Sequence, residues 1–96
     1  MTAMMMTWAG VTPELHERAL EDVRWEQDPA PGGLFHVAGF DEHGLHVTDL
    51  WESAAAFETF VTERLMPGVV GVGIQGQPQV EIVPVHRLFA PAFTRN

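Results

Sequence analysis

The chain has 96 residues, close to the usual size of one domain, and 46% of them are hydrophobic, so a folded core is expected rather than disorder. It contains no cysteine, which excludes disulfides and thiolate metal sites and makes support from a second subunit an early expectation. The formal net charge of −8 arises from thirteen acidic residues, five arginines and no lysine, so we expect neither nucleic acid nor an anionic membrane as a partner.

The N-terminal segment predicts a strand and no targeting signal. Residues 1–6 carry no basic side chain, and their apolar run is too short for a signal peptide or a membrane span, so we expect a cytoplasmic protein. If residues 3–9 are extended, Met4, Met6 and Trp8 share one face of the strand.

A helix is predicted next. Thr12 suits the N-cap and Pro13 the first helical position, and apolar residues then recur at the spacing of one helical face until about Trp25. Two prolines and two glycines in residues 28–33 favour a loop after this helix.

Two β-prone runs then predict a hairpin. They cover residues 34–40 and 45–51, and the intervening segment 41–44 begins with Asp and ends with Gly, which suits a tight turn. Counting outward from a four-residue turn places His36 opposite Asp49, where opposed Cβ atoms lie about 4.5 to 5.5 Å apart. A register shifted by one residue gives a poorer apolar pattern, so we expect this pairing.

The two faces of this hairpin are predicted to have different roles. Phe35, Val37 and Leu50 form the better apolar surface, so we expect the helices to pack on it. His36 and Asp49 are then expected on the opposite face, directed towards an interior cavity. The same face is predicted to carry Leu34, Phe40, Val47 and Trp51.

The second half of the chain predicts a helix, an irregular segment and a last strand. Ser53 can cap a helix whose apolar stripe closes before Pro67, and the glycines of residues 67–79 favour irregular structure. The apolar run 80–89 predicts a strand, which contains Pro84 and is therefore expected at a sheet edge or with a bulge. The tail after about residue 91 is expected to be loose.

The resulting order, β, α, β, β, α, β, predicts a single α+β domain over residues 1–96. Its expected architecture is ferredoxin-like, with one antiparallel sheet and both helices on one face. Because the helices shield only that face, apolar side chains on the other face predict a homodimer formed sheet to sheet.

One part of the chain resembles a known family. The run Gly44-Leu45-His46-Val47-Thr48-Asp49-Leu50-Trp51-Glu52-Ser53, followed by Phe57, Phe60, Arg64, Pro67 and His86, is similar to antibiotic biosynthesis monooxygenase-like proteins. The resemblance covers roughly residues 34–89 and is most specific at Trp51-Glu52-Ser53. It implies a dimeric α/β barrel with an apolar pocket between the sheet and the helices of each subunit. It also implies a role in natural product biosynthesis, since some relatives oxidise aromatic polyketides to quinones without flavin or metal.

The chain departs from the functional residues of that family. Haem-degrading relatives have an asparagine, a tryptophan and a histidine where this chain has about Met4, Phe60 and Val70. Quinone-forming relatives use tyrosine and asparagine in the pocket, whereas this chain has no tyrosine and only the terminal Asn96. We therefore expect no haem and no other cofactor.

His36, Asp49 and His86 are the candidate catalytic residues. A carboxylate beside an imidazole can fix its tautomer, as a general acid or base requires, although the same contact also occurs as a structural pair. His86 on the last strand could join them across the sheet. Three such residues without a spacing signature favour a structural histidine over a ligand, so no metal is expected.

Met4, Met6, Trp8, Phe40 and Trp51 are the candidate substrate-binding residues, because sulfur and aromatic rings suit a flat apolar ligand. Filling of the core is the alternative for each of them. The predicted function is thus a cofactor-independent monooxygenase acting on a small apolar or aromatic, polyketide-like molecule. A cyclase or isomerase using the His–Asp pair, and a dimer that binds a ligand without chemistry, remain alternatives.

Overall fold

The computed structural model of the protein describes residues 1–92. The elements are β1 (Thr2–Ala9), α1 (Pro13–Val23), β2 (Gly33–Asp41), β3 (Gly44–Trp51), α2 (Ala54–Phe60), a π-helical segment (Val61–Leu65), α3 (Met66–Val72) and β4 (Gln79–Pro84). They form one antiparallel sheet covered on one face by helices, so the predicted ferredoxin-like α+β class is confirmed.

The strand order places the candidate pair beside the centre of the sheet. The order is β2-β3-β1-β4, so β1 and β3 are central while β2 and β4 are edge strands. His36 pairs with Asp49, and Asp49 pairs on its other side with Met4. A bulge between Gly33 and Phe35 interrupts the ladder of β2 and β3. The predicted hairpin register is confirmed.

Asp41 holds the turn that sets this register. Its Oδ1 accepts hydrogen bonds from the backbone N–H groups of His43 at 2.8 Å and Gly44 at 3.1 Å, and its Oδ2 lies 2.7 Å from Nε2 of His46. The bond from His43 is the main cause that lowers the pKa of the Asp41 carboxyl. Gly44 has a φ of +147°, and a Cβ there would overlap the carbonyl oxygen of Trp8, so the turn requires glycine.

The helices pack on the face opposite to the one predicted. Phe35 and Val37 are 42% and 50% exposed, and Leu50 is only partly buried. The prediction relied on the pattern of β2, but β2 is an edge strand, and the larger side chains of the two central strands decide which face removes more apolar surface from water. The buried face carries Met4, Met6, Trp8, Leu45, Val47, Asp49 and Trp51.

The predicted helix starts are confirmed. The side chain of Thr12 accepts a hydrogen bond from the backbone of Leu15 at 3.2 Å, and that of Ser53 accepts one from Ala56 at 3.1 Å. The first helix ends at Val23, where Arg24 takes the left-handed conformation with a φ of 56° and closes the last turn. Trp25 therefore lies in the turn that follows the helix.

The second helical stretch extends beyond its predicted end. It continues through the π-helical segment into α3, where Pro67 lies in the first turn. Gly68 is buried because it packs on α1, and a Cβ there would lie 2.6 Å from Cγ1 of Val23. The glycine thus permits a close helix contact. The prediction of irregular structure is wrong for residues 67–72 and correct for residues 73–78.

The last strand is shorter than predicted. β4 ends at Pro84, because proline cannot donate to the ladder, and it does lie at a sheet edge as expected. The backbone N–H of Val85 still donates to the carbonyl of Met1 at 3.0 Å, but residues 85–89 form no strand. The expected loose tail lies largely in residues 93–96, outside the described part of the chain. Within residues 1–92, no helix is long and apolar enough to cross a membrane.

Candidate functional site

A histidine and an aspartate from neighbouring strands form the polar centre of the site. The register of β2 and β3 places Nδ1 of His36 2.7 Å from Oδ1 of Asp49. The two side chains are 20% and 5% exposed, so water screens this contact less than it screens a surface ion pair. The pair that the hairpin register predicted is present, but it lies beneath the helices rather than on the far face.

Trp51 holds the second oxygen of the aspartate. Its indole Nε1 donates to Oδ2 of Asp49 at 3.1 Å, and the Trp51 side chain is fully buried. Both carboxylate oxygens are therefore engaged. Because a carboxylate only accepts, Nδ1 of His36 carries the hydrogen that faces it, and Nε2 is the acceptor nitrogen of the neutral ring.

The Nε2 atom of His36 is unusual because it is a buried polar atom without a hydrogen-bond partner in residues 1–92. Buried polar atoms in folded proteins are almost always paired, so an unpaired one requires a specific explanation. Since His36 lines a cavity between the sheet and the helices, a bound molecule can supply the missing partner.

The cavity lies between the sheet and the helices and has a volume of about 70 Å³. Its lining is apolar apart from His16, His36 and Asp49, which are its titratable residues. The apolar lining comes from both layers and includes Met4, Met6, Trp8, Val11, Ala19, Leu20, Val23, Trp25, Leu45, Val47, Phe57, Phe60, Leu65, Val69 and Ile74. A reacting group in this place would be shielded from water, which strengthens its electrostatic interactions with the protein.

Trp25 forms an aromatic wall beside the pair. Its ring centre lies 4.8 Å from that of His36, 5.1 Å from that of Phe60 and 6.4 Å from that of Trp51. Because Trp25 follows the left-handed Arg24, it is carried by a turn and not by regular helix. The sequence predicted only the end of a helix here and gave Trp25 no role.

Arg64, on the π-helical segment, holds the turn of Trp25 in place by hydrogen bonds. Its Nη2 donates to the carbonyl of Val23, at the end of α1, and to the carbonyl of Asp28 at 2.6 Å. A cation is favourable there, because the last carbonyls of a helix carry partial negative charge. The guanidinium also lies 5.7 Å from the ring centre of Phe60. One side chain thus holds both ends of the turn that carries Trp25.

The candidate substrate-binding residues divide into two groups. Met4, Met6 and Trp8 line the cavity. Trp51 does not line the cavity and instead donates a hydrogen bond to Asp49. Phe40 is 39% exposed, and its ring centre lies 5.6 Å from that of His16. Only the first group is therefore placed to contact a ligand in this cavity.

His86 does not join the pair. It lies beyond the end of β4, is exposed, and is separated from His36 by the two central strands. The expected placement was wrong because the strand ends at Pro84. In residues 1–92, no group of three or more histidine and acidic side chains is arranged to hold a metal ion.

His16 lines the cavity, but the sequence interpretation gave it no functional role. Its side chain is 12% exposed. The signal was present in the sequence, because His16, Ala19, Leu20 and Val23 recur at i, i+3, i+4 and i+7 and thus include the histidine in the buried stripe.

Comparisons with known proteins agree with this architecture. No family model and no curated protein matches the sequence. Among solved structures, SnoaB, a cofactor-independent oxygenase from Streptomyces nogalater, matches with a TM-score of 0.62 at 14% identity, over 94% of this chain and 95% of that one. A structure named antibiotic biosynthesis monooxygenase matches with a TM-score of 0.62 at 16% identity, over 88% and 98%. A mutant of MhuD with two manganese protoporphyrin IX molecules per active site matches with 0.64 at 18%, over 94% and 99%.

A porphyrin could enter the cavity of this chain only if its walls moved far apart. The volume of about 70 Å³ is far below the roughly 300 Å³ at which sites for drug-sized ligands begin. Val70, which stands where haem-degrading relatives have a histidine, is 72% exposed and does not line the cavity. The structural matches over most of each chain show that this chain has the fold of the antibiotic biosynthesis monooxygenases, as the residues of β3 and α2 indicated.

Proposed function

We propose that the protein is an enzyme that removes a proton from a small apolar or aromatic molecule, with His36 as the general base. The observation that carries this proposal is the buried, unpartnered Nε2 of His36, in a ring whose other nitrogen is held by a carboxylate. A purely structural histidine is expected to have both nitrogens satisfied. A general base needs the arrangement found here, with one nitrogen oriented and the other free for the substrate.

The proposed reaction is cofactor-independent oxygenation of a phenol to a quinone. Nε2 of His36 takes the proton as the phenolic O–H bond breaks, and the electron pair stays on the substrate. Asp49 stabilises the positive charge that develops on the imidazole. Dioxygen then accepts electrons from the electron-rich ring and bonds to a ring carbon, and the protonated His36 returns its proton to the resulting peroxide. Loss of water, which includes the hydrogen of that ring carbon, gives the quinone. In sum, one phenol and one dioxygen give one quinone and one water.

Two observations support this reaction class. The first is the fold likeness to SnoaB, which on its own is an argument by analogy. The second is the composition of the cavity, where apolar side chains surround a proton acceptor, a setting that suits an aromatic ring with one acidic hydroxyl.

The size of the cavity restricts the substrate. Its volume of about 70 Å³ is roughly half of the 150 Å³ of an engineered apolar cavity that binds benzene. A single ring therefore needs one wall to move, and the turn carrying Trp25 is one of the walls without regular structure, beside Val11 and Ile74. A polyketide-sized substrate would need a larger displacement of the same turn.

Oxygen uptake tests the proposed function. One-ring phenols, two-ring naphthols and three-ring anthrones are supplied in air, and oxygen and product are measured together. We expect one oxygen consumed per quinone formed with the smallest ring, and acceptance of larger rings by Trp25→Ala. Equal conversion under argon would identify a cyclase or isomerase with the same base. Bound phenols that remain unchanged would reject the enzyme and indicate a binding protein.

We also propose that the protein is a homodimer formed through the face of the sheet opposite the helices. Phe35, Val37 and Val83 on this face are 42%, 50% and 44% exposed. Such a row of apolar side chains on a sheet face requires a cover, and the same face of a second copy provides one.

Sedimentation tests the dimer. The wild-type protein is expected to sediment as a dimer at micromolar concentration, and Val37→Asp is expected to shift it to the monomer by burying a charge in the interface. Thr62→Asp, on the exposed side of the π-helical segment, is the matched control and should leave the dimer intact. A wild-type monomer at this concentration would reject the proposal.

A further inference from the structure

The polar groups of the cavity leave only two positions for the polar end of a ligand. Both oxygens of Asp49 are engaged, one by His36 and one by Trp51. The indole N–H of Trp8 is likewise engaged, since it donates to the carbonyl of Gln75 at 2.9 Å. The polar atoms that remain for a ligand are Nε2 of His36 and the ring nitrogens of His16.

His16 and His36 are arranged as a pair. Their ring centres lie 6.3 Å apart and their planes differ by 12°, so the two rings are nearly parallel neighbours in the lining of the cavity. Both residues line the same cavity, so one ligand can contact the two imidazoles at the same time. Phe40 packs its edge on His16 and limits the movement of that ring.

Within residues 1–92, the acidic side chain that contacts His16 is Glu17, and this contact is long and exposed. Nδ1 of His16 lies 3.9 Å from Oε2 of Glu17, which is beyond hydrogen-bond length, and the Glu17 side chain is 74% exposed. Within residues 1–92, the charged and titratable groups that act on His16 are His36 on β2 and Glu17 on its own helix.

We infer that His16 is a second polar anchor of the cavity, and that the ligand carries an ionisable oxygen that is hydrogen-bonded by the imidazoles of His16 and His36. This inference rests on the proposed use of the cavity and adds the class of ligand, an apolar molecule with one anionic oxygen. The phenolate formed when His36 takes a proton is such a group, and a carboxylate is the other source of the same chemistry.

The protonation of His16 agrees with this arrangement. Burial is the main cause that lowers the pKa of His16, and His36 lowers it further, while Glu17 opposes the shift. These surroundings thus favour the neutral ring. Because the pKa of His16 is lower in the folded protein, the unfolded chain binds more protons near and below pH 6.5. The folded state is therefore expected to be fully stable with respect to His16 above that pH, and to lose stability as the pH falls below it. An anionic oxygen beside the ring would oppose the shift and favour proton uptake.

Binding of para-nitrophenol and nitrobenzene tests the inference without any turnover. The two probes share the nitro-substituted ring, and only the first carries an ionisable oxygen. We expect the wild-type protein to prefer para-nitrophenol by at least about tenfold, as a charge-assisted hydrogen bond gives. His16→Phe keeps a ring against Phe40 and should remove most of this preference while leaving nitrobenzene binding unchanged. Benzoate compared with benzene distinguishes a carboxylate ligand from a phenolate.

His43→Phe is the matched control, because the His43 side chain is 79% exposed and lies on the hairpin turn. It should change neither affinity. If His16→Phe does not fold, His16→Gln and the NMR titration of the His16 ring in the wild-type protein provide the same test, since bound para-nitrophenol should raise its pKa. Equal binding of the two probes, or an unchanged preference in the His16 variant, overturns the inference. If His16→Phe loses the preference for para-nitrophenol but the wild-type protein consumes no oxygen, the result would reject the proposed reaction and support the inference about His16.

Discussion

Replacing His36 by glutamine is expected to lower turnover by about a hundredfold or more, as the loss of a general base typically does. Glutamine keeps a polar side chain of similar length but does not take up a proton near neutral pH. Asp49→Asn is expected to act in the same direction, because an amide no longer stabilises the charge that develops on the ring. Initial rates at saturating and at low substrate measure the effect on kcat and on kcat/KM.

The chain contains a matched control for this experiment. His46 and Asp41 form a second pair, with 2.7 Å between Nε2 and Oδ2, but this pair is half exposed and lies outside the cavity. His46→Gln should therefore leave turnover unchanged. Near-UV circular dichroism of all variants separates lost chemistry from lost folding. Normal turnover in both the His36 and the Asp49 variants would reject the proposed base.

Truncating Trp51 to alanine is expected to reduce the free energy of unfolding by about 3–5 kcal/mol, the usual cost of removing a buried aromatic ring. Trp51 is fully buried, and its ring centre lies 5.5 Å from those of Phe57 and Phe60. The change also leaves Oδ2 of Asp49 without its donor. A total stability of about 5–15 kcal/mol is typical of small domains, so the variant is expected to be close to unfolding.

Trp51→Phe separates the two parts of this effect. Phenylalanine keeps most of the ring packing and removes only the N–H, so the expected loss is about 1–3 kcal/mol for an unsatisfied buried carboxylate oxygen. Val70→Ala, at a side chain that is 72% exposed, is the control and should cost less than about 0.5 kcal/mol. Urea unfolding gives these values. A Trp51→Ala variant as stable as the wild type would contradict the assigned role.

Local patterns in the sequence predicted much of the fold. Thr12 and Ser53 were recognisable as helix caps, and the Asp41–Gly44 turn set the register that pairs His36 with Asp49. These features depend on a few neighbouring residues and on hydrogen bonds that the backbone must make. Local sequence therefore contains the information needed to predict them.

Features that depend on distant parts of the chain were predicted poorly. The face covered by the helices was assigned from β2, whereas the central strands determine it. Gly68 was interpreted as favouring irregular structure. Its actual role, a close contact with Val23, joins two helices far apart in the sequence and is not visible in the local pattern. The wall formed by Trp25 depends on Arg64, which is separated from it by two strands and a helix. Such contacts form only after the chain has folded.

The turn held by Arg64 has a consequence for how affinities of this protein should be interpreted. If a ring enters only when Trp25 has moved, the apparent affinity is the intrinsic affinity multiplied by the fraction of molecules with an open turn. An open fraction of about one in a hundred would weaken the apparent affinity about a hundredfold without any change in the cavity itself. Weak binding of a substrate would then reflect the small population of the open state rather than a poor fit between the substrate and the cavity. The rate of opening would also set an upper limit on kcat.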